Sequence, residues 1–177
     1  MTSGIANTNI NHNLLAATHF HFAIERLPYV NYFGQQINLP DINLPSVGVK
    51  TPFTTVHRAG DNIEFTPLKV QFSVDEDFRN WEEIYNWMVG LGFPRSTTQY
   101  QELLRTRTSS IDPKGSIYSN GNIVLLNSDN NPFLRIDFVD LVPTGLTGLQ
   151  FDTTAQNNAY LTSTASFAYT LYYISRL

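Results

Sequence analysis

Three groups of residues in this chain have the types and spacing that chemistry requires. Asp75, Glu76 and Asp77 are consecutive carboxylates, with Glu82 and Glu83 a turn or two further on. Paired carboxylates hydrolyse glycosides when one is an acid and the other a nucleophile or base. His19 and His21 share one face of an alternating segment, as two ligands of a metal would. No Asp, Glu or His occupies a clear third ligand position. Ser and Thr are the only remaining nucleophiles, because the chain has no cysteine. Thr144-Gly145 and Thr147-Gly148 do not form the G-x-S-x-G turn that exposes a nucleophile. Gly90-Leu91-Gly92 ends a helical pattern, whereas a phosphate loop opens one. Arg105 and Arg107 come nearest to a basic patch, either a solvated loop or a contact for an acidic partner surface.

Each group also has a structural explanation. Asp75 suits a helix N-cap, and Glu76 and Asp77 suit the positive end of the helix dipole. Glu82 and Glu83 fit the wet face of the same helix. The two histidines fit a solvent-facing or interface position. These readings leave no catalytic set, metal site or cofactor site in the sequence.

The surrounding segments are mostly strands. Phe20, Phe22 and Ile24 alternate with the histidines, as in a half-buried strand. Tyr29 to Ile37 reads as a second strand. Pro40, Pro45 and Pro52 interrupt residues 38–58, which read as a long loop or loosely formed hairpin. Ile63 to Val74 is a strand whose apolar phase flips at Thr66-Pro67, predicting a bulge there. From Asp75 the pattern turns helical: Phe78, Trp81, Ile84 with Tyr85, and Met88 form a stripe, closed by Gly90, Gly92 and Pro94. Trp81 fits that stripe. Trp87 falls at its edge, as core packing or as a half-exposed interface anchor. Residues 99–107 allow a short second helix. Ser116–Asn127 and Phe133–Val139 read as a hairpin about an Asn/Asp-rich turn. Tyr160 to Ile174 forms a closing strand too long for one small sheet, reaching beyond it or curling across two. The expected fold is mainly β: an antiparallel sandwich or half-open barrel with one flanking α-helix. It forms a single domain over 14–177, preceded by a polar arm over 1–13.

Charged residues make up 15% of the 177, and hydrophobic ones 42%. The usual charged share is about 25%. A surface of Asn, Gln, Ser and Thr is weakly protected against association. It suits a low-charge β-protein, or a subunit largely covered by copies of itself. A net charge of −4 gives no broad basic surface for nucleic acid. No apolar run approaches the roughly 18 residues of a membrane span. The Asn-rich start lacks the basic and apolar regions of a secretory signal.

The ordered segments resemble the tail tube proteins of contractile-tailed, T-even-type bacteriophages. The resemblance begins at Phe20-His21-Phe22 and passes Leu39-Pro40 to Ala59-Gly60-Asp61. It follows the strand to Val74, the acidic step Asp75-Glu76-Asp77, and the helix with Trp81 and Trp87. It resumes at Val142-Pro143-Thr144, Leu149-Gln150-Phe151-Asp152 and the final strand. No single motif is specific; their order over most of the chain carries the likeness.

The resemblance implies two antiparallel sheets with a helix on the flank. It implies a homohexameric ring whose strands join a continuous inner β-barrel, and rings that stack into a DNA-ejection conduit. A tail sheath protein would lie outside, with the tape-measure protein and DNA passing transiently through the lumen. The setting would be the virion tail, assembled in the host bacterial cytoplasm. The same fold builds tube-end rings, a terminator at the neck or an initiator at the baseplate. The long loop 38–58, with Pro40, Pro45 and Pro52, would be the natural contact between stacked rings, and Trp87, Arg105 and Arg107 are further interface candidates. Gly60, Asp61, Asp75, Glu76, Asp77, Trp81, Pro143 and Thr144 would serve the fold. Two other classes compete: a monomeric carbohydrate-binding β-sandwich using Tyr29, Tyr32 and Tyr100, and a hydrolase using Asp75 or Glu76.

Overall fold

In a computed structural model, which describes residues 15, 18–92, 95–105, 117–152 and 160–177, one strand belongs to two sheets. In chain order the elements are β1 (Phe20–Ile24), α1 (Pro28–Phe33), β2 (Gly34–Asn38), β3 (Ile42–Asn43), β4 (Ser46–Lys50), β5 (Thr55–Ala59), β6 (Glu64–Phe65), β7 (Leu68–Ser73), α2 (Arg79–Gly92), α3 (Thr98–Arg105), β8 (Ser119–Leu126), β9 (Pro132–Leu146), β10 (Thr162–Ala168) and β11 (Leu171–Arg176). The first half of β9 lies in a sheet ordered β1-β8-β9-β11. Its second half lies in a sheet ordered β9-β10-β7-β2. All of these pairings are antiparallel.

The join sits at Asp140, a non-glycine residue at φ 58°. Before it, Ile136 and Phe138 are buried; after it, Leu141 and Pro143 are. One residue in the left-handed conformation has reversed the side-chain phase, as a bulge does. The opposite strand breaks at the same level. Thr170 N–H donates to the Val139 carbonyl at 3.0 Å, and Thr170 Oγ1 donates to Asp140 Oδ2 at 3.2 Å. The closing segment is therefore two strands, one in each sheet. Its odd-numbered buried face ends at Phe167; Leu171 and Tyr173 are exposed. An aromatic cluster packs beside the break: Phe65, Phe138, Tyr169 and Tyr172. Tyr169 donates its phenol to the Thr66 carbonyl at 3.0 Å, and burial pushes that phenol up to about 12.

Buried residues of both sheets and two helices form one cluster, including Ile24, Leu68, Phe72, Ile84, Trp87, Phe138 and Phe167. Among the described residues there are three helices where one flanking helix was expected: α1 and α2 lie against the sheets, and α3 packs on α2. The expected strand at Tyr29–Ile37 is half helix. Pro28 starts α1, where its missing N–H costs nothing. Asn31 then clamps the end of β1, accepting from Ile24 N–H at 2.7 Å and donating to its carbonyl at 3.0 Å.

The main helix also departs from its expected phase. Asp75 is not its N-cap. Asp75 to Phe78 form a turn closed by Phe78 N–H to the Asp75 carbonyl at 2.9 Å, and α2 begins at Arg79. Its buried positions are Asn80, Ile84, Trp87 and Gly90, so Trp81 is only half-buried. Trp87 is 2% exposed, which removes it as an interface anchor. Its indole N–H donates to the Ile117 carbonyl at 3.1 Å, and Phe167 and the Arg26 guanidinium pack on its ring. The stripe starts at Asn80, a polar residue that no apolar periodicity reveals. Glu83 is likewise not on the wet face. It is half-buried near α1, and Oε2 has no hydrogen-bond partner among the described residues. Burial raises its pKa, and a backbone hydrogen bond from Tyr29 opposes that shift.

Two substitutions test this packing. Asn80 is fully buried; it donates to the Ser73 carbonyl at 2.7 Å and accepts from Asp75 N–H at 3.2 Å. Asn80→Ala strands two backbone groups, and denaturant unfolding will show a loss of about 2–4 kcal/mol. Because the folded pKa of Glu83 lies above its unfolded value, its contribution is full at acid pH and declines as pH rises through the raised folded value. Glu83→Gln will therefore match the parent at acid pH and exceed it in urea midpoint at neutral pH.

Candidate assembly surfaces

Residues 42–59 extend from the core as a two-stranded ribbon. β4 pairs with β5 from Ser46↔Ala59 to Lys50↔Thr55, and every residue of both strands is exposed. The hairpin reading of 38–58 is the one that forms. Val47 pairs with Arg58 and Val49 with Val56, putting these four side chains on one face. Ser46, Gly48, Lys50, Thr55 and His57 take the other face. Thr51 and Thr54 close the tip, with Thr51 N–H to the Thr54 carbonyl at 2.9 Å and Thr54 N–H to Thr51 Oγ1 at 3.2 Å. Phe53 at the tip is 97% exposed. A lone two-stranded ribbon is marginal in water, so the valine face calls for a covering surface.

The ribbon joins the core through few bonds. Gly60 N–H donates to the Pro45 carbonyl at 2.8 Å, and a Cβ on Gly60 would fall 2.3 Å from that oxygen. Below it, Asp41 N–H donates to Thr66 Oγ1 at 2.8 Å, and Thr66 N–H to the Asp41 carbonyl at 3.2 Å. Asp61 is exposed beside this base. Of the three prolines expected at a contact, Pro45 is exposed at the base and Pro52 at the tip. Pro40 is buried.

A second surface lies at the start of α2. Phe78, Trp81 and Tyr85 form a ladder, with centroids 5.0 Å and 5.5 Å apart and the last two rings nearly parallel at 14°. Phe78 and Tyr85 are exposed. Trp81 donates its indole N–H to the Thr147 carbonyl at 3.4 Å. Exposed Glu76, Asp77 and Glu82 flank the ladder. Arg79 pairs with Asp77 at 3.4 Å, and its pKa is raised by a hydrogen bond with Tyr29 and then by the Asp77 charge. These carboxylates lie on an open turn and an exposed helix face, unlike the cleft that a hydrolase needs.

The remaining candidates are scattered. Pro143 is buried in β9, and Thr144 Oγ1 donates to the Ser166 carbonyl at 3.1 Å, both within the seam. Arg105 ends α3, and Arg107 lies outside the described residues, as does the arm over 1–13. Tyr29 and Tyr32 belong to α1 and Tyr100 to α3. His21 is exposed, and among the described residues no group of three or more His, Cys, Asp or Glu could hold a metal. No helix among the described residues is long and apolar enough to cross a membrane.

This fold recurs in solved structures. The tube-terminating cap of the anti-feeding prophage aligns at TM-score 0.64 and 13% identity, covering 99% of this chain and 100% of that one. A chain of the anti-feeding prophage baseplate aligns at TM-score 0.58 and 14% identity, covering 94% and 97%. At such identities the likeness is one of fold. In sequence, the tail tube terminator protein of Enterobacteria phage T4 is 27% identical over 146 residues, 81% of this chain and 77% of that protein. The chain thus resembles a phage tail tube terminator in sequence and a tube-terminating cap in fold. It matches no protein-family model.

The mainly β antiparallel fold is as expected. The sequence reading missed the valine face of the ribbon and the ladder. The valines were legible as V-x-V, but the prolines on either side spoke for a loop. Tyr85 was assigned to the core stripe, which in fact runs through Ile84. The ribbon base supplies a test. Gly60→Ala will speed hydrogen exchange of the Val47 and Val49 amides about tenfold or more, while β7 and β10 keep their protection.

Proposed function

We propose that this chain is the subunit of a tube-end ring, a terminator that caps the tail tube at the neck. The observation that carries this reading is the alignment with the phage T4 tail tube terminator over most of both chains. The fold likeness to a tube-terminating cap agrees with it. In this reading copies form a homohexameric ring seated on the last tube ring, within the sheath. The tape-measure protein and then DNA pass through its lumen. The net charge of −4 suits a wall that releases the DNA. A terminator must contact the tube with one face and refuse another copy of itself with the other. Head-to-tail contacts that do not close give filaments, so its self-contacts must close. The reading places the protein in the virion tail, with assembly in the bacterial cytoplasm.

Negative-stain microscopy with native mass, on the purified protein with and without preformed tail tubes, tests this. Isolated sixfold rings that attach to tube ends and stop elongation are expected. Hollow filaments of the chain alone would make it the main tube subunit. Rings that nucleate tubes would make it the initiator. A monomer that adds to neither tubes nor baseplates would remove it from the tube.

A further inference from the structure

We propose that the β4–β5 ribbon of one copy docks on the Phe78–Trp81–Tyr85 ladder of the neighbouring copy, and that this contact closes the ring. The neighbour comes from the ring reading above; the contact itself is argued from this chain. The two surfaces are complementary in shape and polarity. The ribbon offers a narrow apolar face, Val47, Val49 and Val56, with the free ring of Phe53 at its end. Five-residue strands carry that face about 17 Å, at about 3.4 Å per residue. The ladder offers stacked rings with Tyr85 46% exposed, the aromatic surface on which aliphatic and aromatic anchors pack.

Charge selects the same pairing. On the valine face the ribbon carries the cation Arg58, with Lys50 and His57 on its other face, and between Ile42 and Gly60 there is no carboxylate. The ladder is flanked by Asp75, Glu76, Asp77 and Glu82, against the single cation Arg79. Opposite charges around an apolar centre steer partners and fix register.

Backbone geometry marks the ladder independently. Phe78 sits at φ 63°, a left-handed conformation that is costly for a residue with a Cβ. Strain kept at an exposed aromatic points to a function for the ring it positions. Ribbon and ladder are different patches, so each copy gives one and receives one. Around a closed ring every ribbon and every ladder is used, and none remains to recruit a further copy.

The absence of native cysteine gives a direct test. Phe53→Cys and Tyr85→Cys are made as separate full-length variants, mixed in equal amounts and treated with a short bifunctional thiol reagent. Mixed crosslinked species that exceed either homodimer, within particles that native mass identifies as rings, are expected. Rings without the mixed crosslink overturn the docking and leave the tube-end reading standing; absence of rings in the parent protein overturns the ring reading itself. Charge reversal keeps the test open if the cysteine variants assemble poorly. Arg58→Glu will abolish rings, and mixing with Glu76→Lys, Asp77→Lys copies will restore association at least tenfold. Phe78→Gly, which relieves the backbone, will keep the fold and weaken ring formation about tenfold. Rings that survive charge reversal while tube capping is lost would assign the ribbon to the tube instead and overturn the proposal.

Discussion

The fold depends on one strand serving two sheets, and that depends on the turn at Asp140. A strand presents alternate residues to one side, so an uninterrupted β9 would bury the same parity throughout. The left-handed step at Asp140 shifts the buried set from Ile136 and Phe138 to Leu141 and Pro143. Each half of the strand can then face the common core from its own sheet. The step would leave the opposite strand out of register, and Thr170 absorbs the mismatch through its bonds to Val139 and Asp140. Tyr169 and Tyr172 seal the same level from the core side. The two breaks therefore act as one joint.

Much of this was legible because hydrophobic period is a direct consequence of strand geometry. The hairpin of β8 and β9 and the spread of the closing strand across two sheets follow from alternation and turn chemistry; at Thr66-Pro67 the expected bulge is instead a full break, with β6 pairing β3 and β7 pairing β10 and β2. The failures have physical causes. Tyr29 to Phe33 is one helical turn and a half, too short to separate a period of two from one of 3.6. The phase of α2 was misjudged because its buried face begins with Asn80, whose burial is repaid by backbone partners rather than by apolar contact.

The candidate surfaces were half visible. Gly60 was marked as a motif residue, but its reason, contact with the Pro45 carbonyl, needs a partner fifteen positions away in the chain. The acidic step was visible as charge and misread as a cap, because a turn from Asp75 to Phe78 and a helix N-terminus favour the same residues. Position along the tail left no local signal at all. A chain of a sheath–tube complex and a tube-terminating cap both align with this fold, so the fold alone does not separate them.

The ribbon is tied to the body by the bond at Gly60 and the rungs at Asp41 and Thr66, and its strands bury nothing in the core. The exposed faces of the ribbon and the packing of the core thus reside in separate parts of one chain. Sequence change in the ribbon is hidden from the core, and change in the core leaves the ribbon's faces as they were. A scaffold divided in this way can exchange the eighteen exposed positions of residues 42–59 without renegotiating how the body folds.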